Sequence, residues 1–382
     1  MRNARRAILV MALFASSSTG CAACRRLSGE DTINLDKSDV KSMAVDIRRQ
    51  QKTICPREPV QMAVFMEVTL DGDKTSKQVE TWSGRGTVNK NDKLDFTEFA
   101  FASAQGTFDP HGWFTPNPSV LFTAAREMEI RTVYKRRPDK FSFTTSYKPD
   151  YACIKETGHD GQNGGDGPGG GSGGAAGSNG GDGLPGPRLV IWATVVKTAF
   201  YDRVIALEVS GDENDLLLVP EDQPFTIHAA GGNGGHGGQG GVGTQGSPGA
   251  AGNPGGRGGN GGPGGRGGNG GRGGAGGTID LFYDARFPDL RSQIKMVVNG
   301  GNGGAAGAGG AGGQGGAGGQ GITPPPAKPG AYVAPAQNGQ AGSPGAAGAS
   351  GAMGEPGPNG RATLNFGDAK SRFARYSELK AL

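Results

Sequence analysis

Histidine, cysteine and regularly spaced charged side chains are the usual carriers of chemistry, and in this 382-residue chain they are few. Its four histidines, His111, His159, His228 and His236, have no zinc-type spacing with a cysteine or with one another. Two runs, Asn163-Gly164-Gly165-Asp166-Gly167 and Asn179-Gly180-Gly181-Asp182-Gly183, repeat along the chain. The nine-residue calcium-binding repeat is incomplete in both, so they read as solvated turn residues and no metal is expected. No G-x-S-x-G, Walker A or protein-kinase pattern occurs, and chance G-x-G-x-x-G matches are inevitable at this glycine density. The chain therefore reads as non-enzymatic and without a cofactor. One set of residues is regularly spaced: Arg257, Asn260, Arg266, Asn269 and Arg272, with Pro263 between them. On a helix of three residues per turn they line one face at intervals of about 9.3 Å. Such a cationic, polar ladder suits acidic polysaccharide or lipopolysaccharide; the alternative is a face that only keeps the protein soluble.

The element that must carry this ladder is a glycine repeat. Of 75 glycines, 66 fall in four blocks, 158–186, 231–277, 300–321 and 330–360. Glycine holds every third position from Gly231 to Gly276, and again over 158–173, 174–186, 301–319 and 339–360. A period of three means an extended left-handed helix with one face bare of side chains. Collagen and a bundle of polyglycine-II helices both use it. In 231–277 twelve of sixteen triplets read Gly-Gly-X, and only Pro248, Pro254 and Pro263 are imino acids. Collagen wants roughly 15–20% proline, so an intrachain bundle is favoured, with a collagen-like trimeric stalk as the alternative. Residues 243–254 lose the second glycine and read as the turn between two rods of about four and eight triplets. Ala305, Ala308, Ala311 and Ala317 form a small apolar row that reads as packed.

The segments outside the blocks alternate as strands do. Val60, Met62, Val64, Met66, Val68 and Leu70 have period two, and Asp71-Gly72 closes the run with hairpin turn chemistry. Further strands are expected at 40–49, 77–82, 94–102, 119–123, 128–135 and 140–147, giving a sandwich over 30–157. After a glycine-rich linker, 158–187, strands at 188–197, 203–209, 215–219, 224–229, 278–283, 294–298 and 362–366 flank the blocks. The rods then read as insertions in a β-fold spanning 188–367 that caps one end of the bundle, with a charged tail at 368–382. A net charge of +4 with both signs mixed argues against nucleic acid as a partner.

The N-terminus reads as an address. Arg2, Arg5 and Arg6 precede the apolar stretch 7–15, and small residues lead to Cys21, so 1–20 is a secretory signal peptide. Thr19-Gly20-Cys21 resembles a bacterial lipobox, which implies lipidation at Cys21; Cys24 is a second candidate. Export permits a disulfide between Cys55 and Cys153. Ile54-Cys55-Pro56 with Val68-Thr69-Leu70-Asp71-Gly72 resembles bacterial immunoglobulin-like domains, which implies a spacer or binding module. The Gly-Gly-Asn, Gly-Gly-Ala and Gly-Gly-Arg triplets resemble repeats of mycobacterial PE-PGRS proteins, of glycine-rich antifreeze proteins and of phage tail-tip adhesins that stack polyglycine-II helices. The whole layout resembles exported collagen-like, glycine-rich lipoproteins of the myxobacterial type. The expected fold is mainly β: an immunoglobulin-like sandwich followed by a β-capped polyglycine-II bundle. The resemblance implies a cell-envelope location, as an outer-membrane lipoprotein or an extracellular protein. The lipobox resemblance implies a lipid anchor to the membrane, the ladder makes surface polysaccharide or matrix a candidate partner, and the intrachain bundle favours a monomer.

Overall fold

The computed structural model describes residues 32–48, 52–85, 90–329 and 331–382. The expected signal peptide, Cys21 and Cys24 lie outside the described residues. The fold is mainly β with several sheets, in two compact units: unit 1 holds the chain to Pro118 and Glu127–Pro149, and unit 2 holds Ser119–Arg126 and Asp150–Leu382.

Unit 1 contains strands β1 (Asp39–Ile47), β2 (Thr53–Ile54), β3 (Val60–Thr69), β4 (Lys77–Glu80), β5 (Phe99–Ala102), β6 (Gly106–Phe108), β7 (Trp113–Pro116), β8 (Met128–Tyr134) and β9 (Ser142–Pro149). One sheet has the order β1-β3-β7-β6, with β4 also on β3; the other is β2-β9-β8-β5. The period-two positions Met62, Val64, Met66 and Val68 are all buried, packed with residues such as Phe99, Tyr134 and Met128. The expected strand at 94–102 begins instead with a helical turn, Phe96–Glu98, capped by the Asp95 carboxylate on the Thr97 N–H. Strands β6 and β7 were not anticipated. The run 119–123 is not a strand but one turn of helix, Leu121–Ala124. Val120 and Ala124, four residues apart, are both fully buried in the core of unit 2, a helical rather than an alternating spacing.

Unit 2 contains β10 (Glu156–Gly158), β11 (Arg188–Lys197), β12 (Val204–Gly211), β13 (Asp215–Val219), β14 (Phe225–His228), β15 (Thr278–Tyr283), β16 (Ile294–Val297), β17 (Arg361–Phe366) and β18 (Lys380–Ala381). The order β10-β14-β16 makes an all-parallel sheet. The second sheet is β13-β12-β11-β15-β17, with β18 on β11, and its β11-β15-β17 part is parallel. Leu189, Ile191, Ile279 and Leu281 share a core with Phe225 and Ile227. Parallel strands need long crossovers, and here glycine segments supply them. Each of β10, β14 and β16 runs into an outgoing rod, and each returning rod enters β11, β15 or β17. The outgoing rods are 158–173 (rod 1), 229–252 (rod 3) and 299–321 (rod 5). The returning rods are 174–186 (rod 2), 255–277 (rod 4) and 336–360 (rod 6).

Backbone hydrogen bonds place the rods. Rod 1 donates to parallel rod 3 (Gly164 N–H to Asn233 O, 2.8 Å), and rod 3 donates to rod 5 (Gly237 to Ala305, 2.9 Å). Rod 2 donates to rod 4 (Gly180 to Asn269, 2.9 Å), and rod 4 donates to rod 6 (Gly267 to Ala349, 2.9 Å). Antiparallel bonds then join the two layers: rod 2 to 1, 3 to 2, 4 to 3, 5 to 4 and 6 to 5. Rods 3 and 4 therefore each bond to four neighbours. This satisfies backbone groups that would otherwise be costly to bury.

The bonding corrects two sequence expectations. Rod 3 does not turn within 243–252: Gly246, Gly249 and Gly252 still donate to Gln314, Ala317 and Gln320 of rod 5. The chain reverses only after Gly252. The row Ala305, Ala308, Ala311 and Ala317 is exposed rather than packed. Rod 5 turns its two glycine columns inward, where a Cβ on Gly300 would meet the Gly357 carbonyl and one on Gly301 the Gly232 carbonyl, each within about 2 Å. The third column is left to solvent. The charged tail is docked as well. Phe373 is fully buried, and Arg372 reaches the Glu208 carboxylate on β12 at 2.8 Å.

Candidate functional site

The five residues expected to form a ladder occupy one column of rod 4, in the layer of rods 2, 4 and 6. Arg257, Asn260, Arg266 and Arg272 are exposed and Asn269 is half-buried. Neighbouring rods engage several of them. The Asn260 Oδ1 accepts the Ser343 N–H of rod 6 at 3.0 Å. The Asn269 Oδ1 accepts the Ala352 N–H at 2.9 Å, while its own N–H donates to Asn179 Oδ1 of rod 2 at 2.8 Å. The Arg272 N–H donates to Asp182 Oδ1 at 2.7 Å, and its guanidinium is paired with Glu355. Arg257 and Arg266 alone of the five have no described hydrogen bond or ion pair from their side chains.

The layer of rods 1, 3 and 5 repeats the arrangement. Asn163 Oδ1 accepts the Asn233 N–H and Asn233 Oδ1 accepts the Asn302 N–H, each at 2.8 Å. Asp166 Oδ1 accepts the His236 N–H at 2.7 Å. His236 Nδ1 in turn accepts the Ala305 N–H at 3.0 Å, so a neutral His236 carries its proton on Nε2. At the base of rod 1, His228 lies 3.5 Å from Glu156 and 3.6 Å from Asp160.

These side chains hold register. The sequence separation of the bonded Asx pairs is 70 for rods 1 and 3 and 90 for rods 2 and 4. The strands keep the same offsets: Thr226 lies opposite Glu156 and Thr278 opposite Arg188. Strand pairing and rod pairing are thus one continuous register. Asn163, Asp166, Asn179 and Asp182, read from sequence as turn residues, are the ties between rods. The available signal was their position, the third place of a glycine triplet, where the one remaining side chain reaches sideways.

Cys55 and Cys153 are disulfide-bonded. Among the described residues, no group of three or more His, Cys, Asp or Glu is arranged to hold a metal ion. No described helix is long and apolar enough to cross a membrane. The rod surfaces offer regular hydrogen-bonding and charge patterns. No protein-family model matches the chain, no curated protein matches it, and no solved structure matches it.

Proposed function

We propose that this chain is a non-enzymatic, exported surface lipoprotein with a structural or adhesive role. In this reading unit 1 is an immunoglobulin-like spacer and the rods form a polyglycine-II bundle on a β-platform. The carrying observation is the bonding of rods 3 and 4 to four neighbours each within one chain. That supports an intrachain bundle over a collagen trimer, whose glycine face packs against two other chains. A three-residue helix with no internal hydrogen bonds gains rigidity only from such neighbours, and rigidity is what a presenting scaffold requires.

Sedimentation of residues 28–382 tests the architecture: a compact monomer is expected, and an elongated trimer overturns it. Fractionation of cells making the full chain tests the anchor. Wild type is expected in the membrane fraction and Cys21→Ser outside it; wild type outside the membrane fraction overturns lipidation.

A second reading has a specific observation behind it. Arg257 and Arg266 are exposed cations that no described carboxylate offsets, and they suit a long acidic polysaccharide. Arg257→Ser with Arg266→Ser is expected to abolish retention on such a polymer, while Arg272→Ser changes it little. Equal loss from all three would assign retention to net charge alone.

A further inference from the structure

We infer that the Asn302-Gly303 pair, near the platform end of rod 5, is the bundle's site of spontaneous modification. Asparagine converts there to aspartate and isoaspartate, with water as the only co-reactant. The chain holds nine Asn-Gly pairs, all of them in the rods. Such pairs favour this chemistry because glycine has no Cβ to shield its nitrogen. The glycine nitrogen attacks the asparagine Cγ, and the new N–C bond closes a succinimide ring. The bond from Cγ to the amide nitrogen breaks, and ammonia leaves with the proton from the glycine. Water then adds to either ring carbonyl and opens the ring to aspartate or isoaspartate.

Closing that ring requires two movements. The peptide plane between asparagine and glycine must rotate, and the side-chain amide must swing back towards its own main chain. Bonds between rods oppose both. At Asn233 the plane is held by the Gly164 N–H on the Asn233 carbonyl and by the Gly234 N–H on the Asn302 carbonyl, each at 2.8 Å. Its side chain is held as well, since Asn233 Oδ1 accepts the Asn302 N–H at 2.8 Å. Asn269 is likewise held by three bonds. Six pairs are held by two. In five of them, Asn163 for example, the glycine N–H donates to another segment and the asparagine Oδ1 accepts a backbone N–H. In the sixth the Asn299 carbonyl accepts the Gly231 N–H at 2.8 Å, and the Gly300 N–H donates to Asn359 Oδ1 at 3.0 Å.

One bond opposes the reaction at Asn302. Its carbonyl accepts the Gly234 N–H, but neither its exposed side chain nor the Gly303 N–H has a described hydrogen bond. The cause is position. Rod 1 donates to rod 3 and rod 3 to rod 5, but among the described residues no rod lies beyond rod 5 in that layer to take the equivalent N–H groups. Further along rod 5 those groups follow alanine or glutamine, so Asn302 is the one asparagine in front of such a group. Isoaspartate routes the main chain through the side-chain carbons and lengthens it by one atom. Rod 5 beyond Asn302 then falls out of phase with the partners of Gly304 and Gly310, the carbonyls of Gly271 and Gly265 on rod 4.

The test ages the whole folded chain in warm, mildly alkaline buffer and follows every Asn-Gly pair by peptide mass spectrometry. A hydrogen bond of ordinary net strength slows the reaction about fivefold. Asn302 is therefore expected to lead the two-bond pairs about fivefold, and Asn233 and Asn269 about twenty-fivefold. In concentrated urea all nine are expected to convert at similar rates. Asn302→Ser removes the amide and no described side-chain bond, so it keeps the fold. Ageing is expected to lower the melting temperature of the wild type and to leave that of Asn302→Ser unchanged. Equal rates in the folded chain, another pair ahead of Asn302, or the same lead persisting in urea overturns the proposal. Full conversion at Asn302 with no fall in melting temperature overturns the loss of register.

Discussion

The two halves of rod 3 differ in one respect. Over 231–243 its second column is Gly232, Gly235, Gly238 and Gly241; over 244–252 the same column is Thr244, Ser247 and Ala250. Beside the first half runs rod 1, and a Cβ on Gly238 would stand 2.0 Å from the Pro168 carbonyl. Rod 1 ends at Gly173, and past that point the column has space for side chains. On rod 3 the second glycine therefore marks a neighbouring rod, and its loss marks that neighbour's end rather than a turn. Rod 6 agrees: it lies at the edge, bonds only to rods 4 and 5, and needs one glycine column.

Substitutions in the two settings test this contrast. Gly238→Ala, in the crowded half, is expected to cost about 3 kcal/mol, the upper range for overpacking, measured by urea unfolding; a neutral result would sink the neighbour rule. A second contrast sets the rods' neutral backbone bonding against the charged ties of their platform. Asp284 follows β15, is buried, and is held below its ordinary pKa by hydrogen bonds from Arg286, with Thr194 adding a bond at 3.1 Å. A lowered carboxylate contributes stability that is complete above about pH 4 and is lost as pH falls through the folded value. Asp284→Asn is therefore expected to cost about 2 kcal/mol at pH 7 and to flatten acid unfolding below pH 4. An unaltered acid limb would place the sensitivity elsewhere.

Smaller effects sharpen the comparison. Asn233→Ala removes the acceptor for the Asn302 N–H but fills no space, so a loss of about 1 kcal/mol is expected in thermal melts. A loss as large as that of Gly238→Ala would mean that the Asx ties outweigh glycine packing. The smallest effect should have the opposite sign. Gly165 on rod 1 has nothing within 4 Å of a Cβ and no positive φ. Gly165→Ala is expected to stabilise by about 0.5 kcal/mol by restricting the unfolded chain. Destabilisation there would show that rod 1 has a neighbour on its open side.

Much of the platform was legible. Strand β3 followed from strict alternation, and β14 and β15 from apolar runs flanking the glycine block 231–277. The short strands β6 and β7 were not, because three or four residues carry too little periodicity to register. The helical turn at Leu121–Ala124 was misread because five mixed residues fit either period. At the candidate ladder the common column of Arg257 through Arg272 was legible, since three-residue spacing is local. That Asn260 and Asn269 tie rods together, and that Glu355 offsets Arg272, was not legible, because those partners lie 83 residues away.

The glycine period, the alternation of the strands and the column each side chain occupies are consequences of local stereochemistry, and the sequence alone determined them. The tertiary structure decided which columns are crowded, which Asx side chains bond sideways and which arginines stay free. Those outcomes depend on pairings between rods 70, 90 and 83 residues apart, and a rod with no internal hydrogen bonds takes its meaning from the neighbours it is given.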